Sequence, residues 1–227
     1  SRGCTPTRAC CVASPGTVNV AAGTYIENIR VDKSLTLAGS GALTTTILPA
    51  VSLPNPCTGS SLCGSPTAAS NVILVEADNV IIHDIGINGD NPALTSGIVR
   101  EGADIDARNG IIKNTNVNYN SLEVYNTLVQ NIYLRGIYST GGSFNFHNNT
   151  VTNVKGDGYS IAIFAWGGPG IIDSNTVSYA NDAISANHSR GIQFLNNIVS
   201  YSGSGIHTDN SNDGGGVADL IQNNSIN

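Results

Sequence analysis

The sequence predicts an all-β fold, a solenoid in which one chain winds into a single-stranded parallel β-helix of about eight or nine coils. The first observation is a repeat with apolar residues at both ends and a polar pair in the middle, which begins at positions 124, 146, 172, 194 and 221. The steps of 22, 26, 22 and 27 residues show a period with insertions, as is typical of solenoids. The second observation is that these repeats are rich in Val, Ile, Phe, Asn, Ser and Gly and lack a sustained helical apolar period, which favours strands.

The polar pair predicts two rows of stacked side chains that run from coil to coil. Asn tolerates the left-handed backbone that a turn between strands often needs, and identical Asn side chains can hydrogen-bond along a stack. We therefore interpret both rows as structural. The first row, a predicted ladder interrupted by Ser174, comprises Asn126, Asn148, Asn196 and Asn223. The second row comprises Thr127, Asn149, Asn175, Asn197 and Asn224.

Residues 1–16 precede the repeats and are predicted to form a Cys-rich N-terminal cap, because they contain Cys, Pro and Gly without periodicity. An uncapped solenoid end would expose core and strand edges. Residues 17–227 are predicted to form the β-helix itself. Strand alternation begins at once, with Ile29 and Val31 and then Leu35 and Leu37 as the inward positions.

The stretch from Val18 to Gly41 carries a specific resemblance. It reads VNVAAGTYIENIRVDKSLTLAGSG, which resembles the opening coils of right-handed parallel β-helix proteins of the pectin lyase-like superfamily, pectinesterases in particular. The resemblance implies a right-handed coil. It does not select an activity, because the superfamily includes lyases, hydrolases, epimerases and proteins without enzymatic activity.

Residues 49–70 interrupt the period with four prolines, two cysteines and a run of Ser, Thr and Gly. The composition predicts a loop that leaves the coil stack, and a loop this long is usually functional or part of an interface. The coils resume at Val72. The predicted strand starts that follow are Gly97-Ile98, Gly110-Ile111, Gly136-Ile137, Gly158-Tyr159, Ala183-Ile184 and Gly205-Ile206.

The five cysteines occur only in the two irregular stretches, which favours disulfides that staple loops. Cys57 is predicted to pair with Cys63, and Cys4 with Cys10 or Cys11. One thiol is left over, and it is either free or paired with another chain. No His lies at a spacing that would complete a zinc site with these cysteines.

The composition indicates an extracellular or cell-surface protein. Only 11% of the residues are charged, against about 25% in an ordinary globular protein. The net charge of −6 and a pI near 4.9 argue against nucleic acid or an anionic membrane as a partner, since both need clustered Lys and Arg. No run of eighteen apolar residues is present, so no membrane-spanning segment is expected. Position 1 is not Met, which predicts a processed end.

Candidate site residues are few, because the catalytic motifs of pectinesterases, polygalacturonases and pectate lyases are absent. The candidates for acid–base catalysis are His188, Arg190, His207 and Asp209, which are expected on adjacent coils. Trp166 is a candidate for stacking on a sugar or a neighbouring protein, or it simply covers a coil edge. No cofactor is expected, although Asp104 and Asp106, or Asp157 with Asp182, are candidate oxygen ligands for calcium. The alternative is that these residues cap their own turns.

Two functions from different classes remain open. The missing catalytic motifs, the Cys-rich head, the odd thiol and the uncharged last coil favour a structural β-helix: a filament subunit, adhesin or envelope component that associates end to end. On this reading the protein is not an enzyme. The alternative is a polysaccharide-active enzyme, such as a lyase, hydrolase or epimerase, or a carbohydrate-binding β-helix. The resemblance of the opening coils supports that alternative, with a polysaccharide as the partner.

Overall fold

The computed structural model describes residues 14–209 and 216–227 of the 227-residue chain, and within them it confirms the all-β parallel β-helix. These residues contain 24 strands, numbered β1 to β24 in chain order, and no helix. Almost every strand pairs in parallel with strands one coil before and one coil after it. None of the described residues forms a helix long and apolar enough to cross a membrane.

Three faces run along the coil stack. The first face is an eight-stranded parallel sheet. Its members are β1 (Gly16–Asn19), β4 (Leu35–Ala38), β7 (Val80–His83), β12 (Leu122–Tyr125), β14 (Phe144–His147), β17 (Gly170–Asp173), β20 (Gln193–Leu195) and β23 (Leu220–Gln222).

The second face also takes one strand from each coil. It contains β2 (Gly23–Ile26), β5 (Thr45–Leu48), β8 (Gly86–Asn88), the first half of β13 (Leu128–Thr140), β15 (Thr150–Val154), β18 (Thr176–Ala180), β21 (Ile198–Ser200) and β24 (Ser225–Ile226).

The third face includes the second half of β13, a strand that spans the second and third faces. The remaining members are β3 (Ile29–Val31), β6 (Asn71–Val75), β11 (Ala107–Lys113), β16 (Ile161–Trp166), β19 (Asp182–Asn187) and β22 (Ser204–Asp209). A small antiparallel ladder of β9 (Val99–Arg100) and β10 (Ala103–Asp104) lies outside the stack.

The core is one continuous apolar column between the three faces, because each strand sends alternate side chains inward. The predicted inward row holds over the inner coils: Val124, Phe146, Ile172 and Phe194 are all fully buried and follow one another in register. Burial of this column, at about 25 cal/mol per Å² of apolar area, is the main stabilising term of the fold.

The two polar rows have different structural roles, although the sequence predicted a ladder for both. The first row takes the left-handed backbone: Asn126, Asn148, Ser174, Asn196 and Asn223 all have φ between 51° and 58° and are exposed. The second row forms the hydrogen-bonded ladder. Asn149 Nδ2 donates to Asn175 Oδ1 (2.9 Å), and Asn175 Nδ2 donates to Asn197 Oδ1 (3.0 Å). The side-chain ladder therefore belongs to the inner row, where it satisfies buried backbone groups that water cannot reach.

Two of the predicted strand starts are wrong. Gly97 and Ile98 lie in the excursion that carries β9 and β10, and Ile98 packs against a small separate cluster. The residue in register with Ile137 is Ile163, four positions after Tyr159, and Tyr159 is 74% exposed. An insertion before β16 moves the frame, and Ala162, not Gly158, precedes the residue that is in register with Ile137.

The Pro- and Cys-rich insertion lies outside the coil, as predicted, and carries a disulfide. Cys57 and Cys63 are bonded, with their Cα atoms 5.5 Å apart. Leu62 is buried and packs on the outside of the third face, which places the loop there. Cys4, Cys10, Cys11 and almost all of the predicted N-terminal cap lie outside the described residues, so their arrangement stays a prediction.

Candidate functional site

The third face carries two adjoining grooves on its outer surface. The main groove, of about 500 Å³, lies over β13, β16, β19 and β22. The side groove, of about 570 Å³, shares Thr115, Thr140 and Trp166 with it. The side chains that line the main groove are Ser61, Thr115, Arg135, Tyr138, Thr140, Tyr159, Ile161, Phe164, Trp166, Asp182, Ser185, Asn187 and His207, with Gly59 and Gly158 at its edge.

Parallel register brings these residues together from distant parts of the sequence. Arg135 is in register with Ile161, and Ile161 with Asp182. A second outward row runs through Tyr138, Phe164, Ser185 and His207. A third runs through Thr140, Trp166 and Asn187. The rungs of a parallel sheet lie about 4.8 Å apart, so residues one coil apart are in reach of a single ligand.

The disulfide-closed loop forms one wall of the main groove, and Arg108 holds it in place. The Arg108 guanidinium is 1% exposed and donates to three loop carbonyls, those of Pro54 (3.0 Å), Ser60 (2.7 Å) and Ser61 (3.1 Å). Burial lowers the pKa of Arg108, and the carbonyls compensate for part of the lost hydration. This buried cation therefore has a structural role, which is to fix the wall of the groove.

A buried lysine holds a wall of the side groove. Lys113, at the end of β11, is fully buried, and its ammonium group donates to the carbonyls of Tyr119 and Gly141, the latter at 2.8 Å. Burial lowers the pKa of Lys113 to about 8. These bonds join the loop after β11 to the turn after β13, and both segments line the side groove.

Arg135 is the cation that faces the main groove. Its Nε donates to Ser61 Oγ (3.3 Å), and a terminal nitrogen donates to the carbonyl of Tyr159. The guanidinium lies 4.6 Å from the ring centroid of Phe164, a cation–π contact that fixes its plane. Burial lowers the pKa of Arg135 to about 10, so it still carries its charge at neutral pH. The contacts with Ser61, Tyr159 and Phe164 therefore hold the positive charge of Arg135 at a fixed place in the groove.

Trp166 stands between the two grooves at the end of β16 and is 43% exposed. The His188 ring packs against it at a centroid distance of 4.5 Å, and Phe164 meets it edge-on at 6.4 Å. His188 has a φ of 52°, a left-handed conformation that costs a non-glycine residue of order 1 kcal/mol. These two ring contacts restrict the orientation of the indole.

The structure places the predicted acid–base residues in this same region but in different grooves. His207 lines the main groove, and His188 and Arg190 line the side groove. Asp209 is in register with Asn187 at the end of β22. Sequence reasoning missed Arg135, and it considered Asp182 only as a candidate calcium ligand. An alignment of the positions two residues before Ile137 and Ile184 would have placed both on one row.

Asp104 and Asp106, the candidate calcium ligands, take part in loop bonds. Asp104 accepts hydrogen bonds from the backbone and hydroxyl of Ser96, and Asp106 accepts one from the backbone of Asn91 (3.0 Å). Within residues 14–209 and 216–227, no three His, Cys, Asp or Glu side chains are grouped to hold a metal ion. These hydrogen bonds join Asp104 and Asp106 to residues 8 and 15 positions earlier in the chain, so they link separate parts of the excursion and do not cap the residues' own turns.

No protein-family model and no curated protein matches this sequence. Solved structures do. The pectin methylesterase from Yersinia enterocolitica superimposes with a TM-score of 0.51 at 13% identity, over 93% of this chain and 85% of that one. The pectin methylesterase PemA from Erwinia chrysanthemi gives 0.51 at 14% identity, over 89% of this chain and 59% of that one. At this identity the likeness establishes the right-handed β-helix fold and confirms the resemblance in fold that the opening coils indicated.

The comparisons overturn one prediction. The chain was expected to be a filament subunit, adhesin or envelope component, but the solved structures that share its fold are esterases, a class of enzyme. The prediction relied in part on missing catalytic motifs, and the absence of known motifs does not exclude an enzyme on this fold. The comparisons do not support end-to-end association either.

Proposed function

We propose that this protein is a secreted, polysaccharide-active enzyme that binds a glycan chain in the main groove. The lining of that groove is the observation that carries the proposal. A fixed and partly exposed indole, Trp166, lies beside the neutral polar side chains Thr140, Ser185 and Asn187. Sugars present apolar ring faces and hydroxyl edges, and such a lining offers partners for both. Pectin methylesterases that share the fold support a polysaccharide as the ligand.

The charged residues of the groove suit base-assisted chemistry. Asp182, which accepts a hydrogen bond from the Ser204 hydroxyl, and His207 can each take a proton from water or substrate. Arg135 can stabilise negative charge that develops on a substrate oxygen. Asp182 is the only carboxylate among the described residues that line the main groove. Glycoside hydrolysis normally uses two, so this arrangement favours ester hydrolysis or elimination.

A second candidate follows from that same single carboxylate, namely a protein that binds the glycan without turning it over. The two candidates share the binding groove and differ only in whether Asp182 and His207 act on the substrate.

The proposal is tested by incubating the purified protein with plant cell-wall polysaccharides and measuring released methanol, acetate, reducing ends and unsaturated products. Asp182→Asn is expected to lower turnover about a hundredfold or more while binding is kept. Trp166→Ala is expected to weaken binding. Tyr201→Ala is the matched control, because Tyr201 is 71% exposed and lines neither groove. Binding without turnover would favour the second candidate, and a wild-type protein that neither binds nor alters any polymer would refute the proposal.

Extracellular localisation is part of the proposal. The disulfide between Cys57 and Cys63 would not persist in a reducing cytosol, and the low content of charged residues is consistent with a secreted protein. Mass spectrometry of culture supernatant against cell extract from the source organism tests it.

A further inference from the structure

We infer that the two grooves form one continuous trough that takes an uncharged polysaccharide chain across Trp166, and that a polyuronate with free carboxylates binds it poorly. This inference rests on the proposed function and adds the substrate class. It depends on two features of the described residues, namely the continuity of the trough and the balance of charge along it.

Continuity follows from the shared lining. Thr115, Thr140 and Trp166 line both grooves, so the two grooves meet at these three side chains. Their volumes, about 500 and 570 Å³, are each within the usual range of ligand sites. A chain that lies along the trough therefore contacts the indole of Trp166 and places sugar units on both sides of it.

The described residues of the trough carry too few positive charges to match an anionic chain. The main groove holds one arginine, Arg135, and one carboxylate, Asp182, and the side groove adds one arginine, Arg190. The Arg135 guanidinium donates one N–H to Ser61 and one to Tyr159 and lies over Phe164, so three of its five N–H donors remain, enough for one ligand carboxylate but not for a row of them. A polyuronate carries one negative charge per sugar, and its recognition needs several Arg or Lys side chains. The protein as a whole has a net charge of −6, which repels such a chain at long range.

The remaining polar lining suits hydroxyl groups. It comprises side chains that both donate and accept hydrogen bonds without carrying charge, namely Ser61, Thr115, Asn118, Thr140, Ser185 and Asn187. A sugar whose carboxylate is absent or esterified loses water from its hydroxyl groups, and the hydrogen bonds of this lining replace most of that hydration. The same lining leaves a bare carboxylate without a charge-assisted partner.

Trp166 is the only tryptophan in the sequence, so its fluorescence reports directly on the trough. The probes are uncharged oligosaccharides (fully methyl-esterified galacturonan, xylan, mannan, cellulose and galactan fragments) and anionic ones (de-esterified galacturonan and alginate fragments). The two galacturonans form a matched pair that differs only in charge. Titrations at low and high salt are run on the Asp182→Asn variant as well, so that turnover does not consume the ester, with calorimetry as a second readout.

We expect at least one uncharged oligosaccharide to bind with an affinity that salt does not change. Its anionic counterpart, or the best anionic probe, should bind at least about tenfold more weakly. Affinity should rise from disaccharide to hexasaccharide, because only the longer chain reaches both sides of Trp166. Asp182→Asn should narrow the gap between uncharged and anionic probes.

The outcomes separate the inference from the proposed function. If an anionic probe binds as tightly as the uncharged ones, or binds more weakly in high salt, the charge argument is wrong and the polysaccharide function stands. If affinity is complete at the disaccharide, the trough is not continuous. If no probe changes the fluorescence or gives heat, both the inference and the proposed function fail.

Discussion

The inner Asn ladder gives the sharpest test of how this fold is held together, and Asn175→Ala is the perturbation. Asn175 is fully buried. Its Oδ1 accepts hydrogen bonds from the backbone N (3.0 Å) and the side chain (2.9 Å) of Asn149, and its Nδ2 donates to the Phe146 carbonyl (2.9 Å). Alanine removes all of these hydrogen bonds at once, while Asn149 and Phe146 stay in place.

The magnitude follows from the groups left behind. Two donors of Asn149 lose their acceptor in a place that water does not reach, and each buried unsatisfied group costs about 1–3 kcal/mol. The free energy of unfolding should therefore fall by about 2–6 kcal/mol, a large part of the about 5–15 kcal/mol that a domain has in total. For a chain of this size that corresponds to a fall in Tm of roughly 5 to 20 °C.

The assay is urea and thermal unfolding followed by circular dichroism, with Ser174→Ala as the control. Ser174 is adjacent and exposed, has a φ of 55°, and its hydroxyl donates only to Asp173 (3.0 Å), so its replacement should cost less than about 1 kcal/mol. If Asn175→Ala is no less stable than Ser174→Ala, the ladder does not stabilise the coils, and the reasoning from buried donors is refuted.

Three further predictions concern the core, the loop and the buried lysine. Phe194→Ala should lower the free energy of unfolding by about 3–5 kcal/mol, because the ring is fully buried, and a change below about 1 kcal/mol in urea unfolding would show that the inward register is wrong. Replacing Cys57 and Cys63 by Ser should loosen the groove wall, measured as faster proteolysis between residues 50 and 69, while the coils unfold nearly as before; an unchanged cleavage rate would contradict this. The folded-state pKa of Lys113, about 8, lies below its unfolded value of 10.5, so the unfolded chain binds more protons between these values and stability should rise as pH increases from about 8. Lys113→Met should flatten that rise between pH 7.5 and 9.5, and a wild-type stability that falls over this interval would count against the buried ammonium.

The wrong strand starts show where sequence reasoning lost the frame. Gly158-Tyr159 resembles Gly136-Ile137, but a six-residue turn had to be accommodated before β16, and the sequence does not show on which side of the pattern the extra residues lie. The functional class was predicted wrongly because the outward residues form no pattern that the sequence displays. Arg135, Asp182 and His207 are isolated in the sequence, and the motifs that would mark a family site are absent.

The sequence by itself determined the inward half of this protein. The period of the repeats, the apolar rows of Val124 and Phe194, the left-handed position of Asn148 and the ladder position beside it all follow from local rules, since alternation and turn geometry repeat in every coil. The disulfide between Cys57 and Cys63 also followed, because the two residues bracket a short step in one loop.

Only the tertiary structure decided the outward half. Which exposed side chains meet depends on the register between coils, and the insertions set that register without leaving a trace in the apolar pattern. Arg135, Asp182 and His207 line one groove because β13, β16, β19 and β22 stack in register. The disulfide-closed loop forms a wall of that groove because Leu62 packs on the third face and Arg108 donates to the loop carbonyls. Alternation along each strand is a local property, so it predicts which residues are buried in the core. The residues that line the groove depend on how the coils align, which is a property of the whole stack.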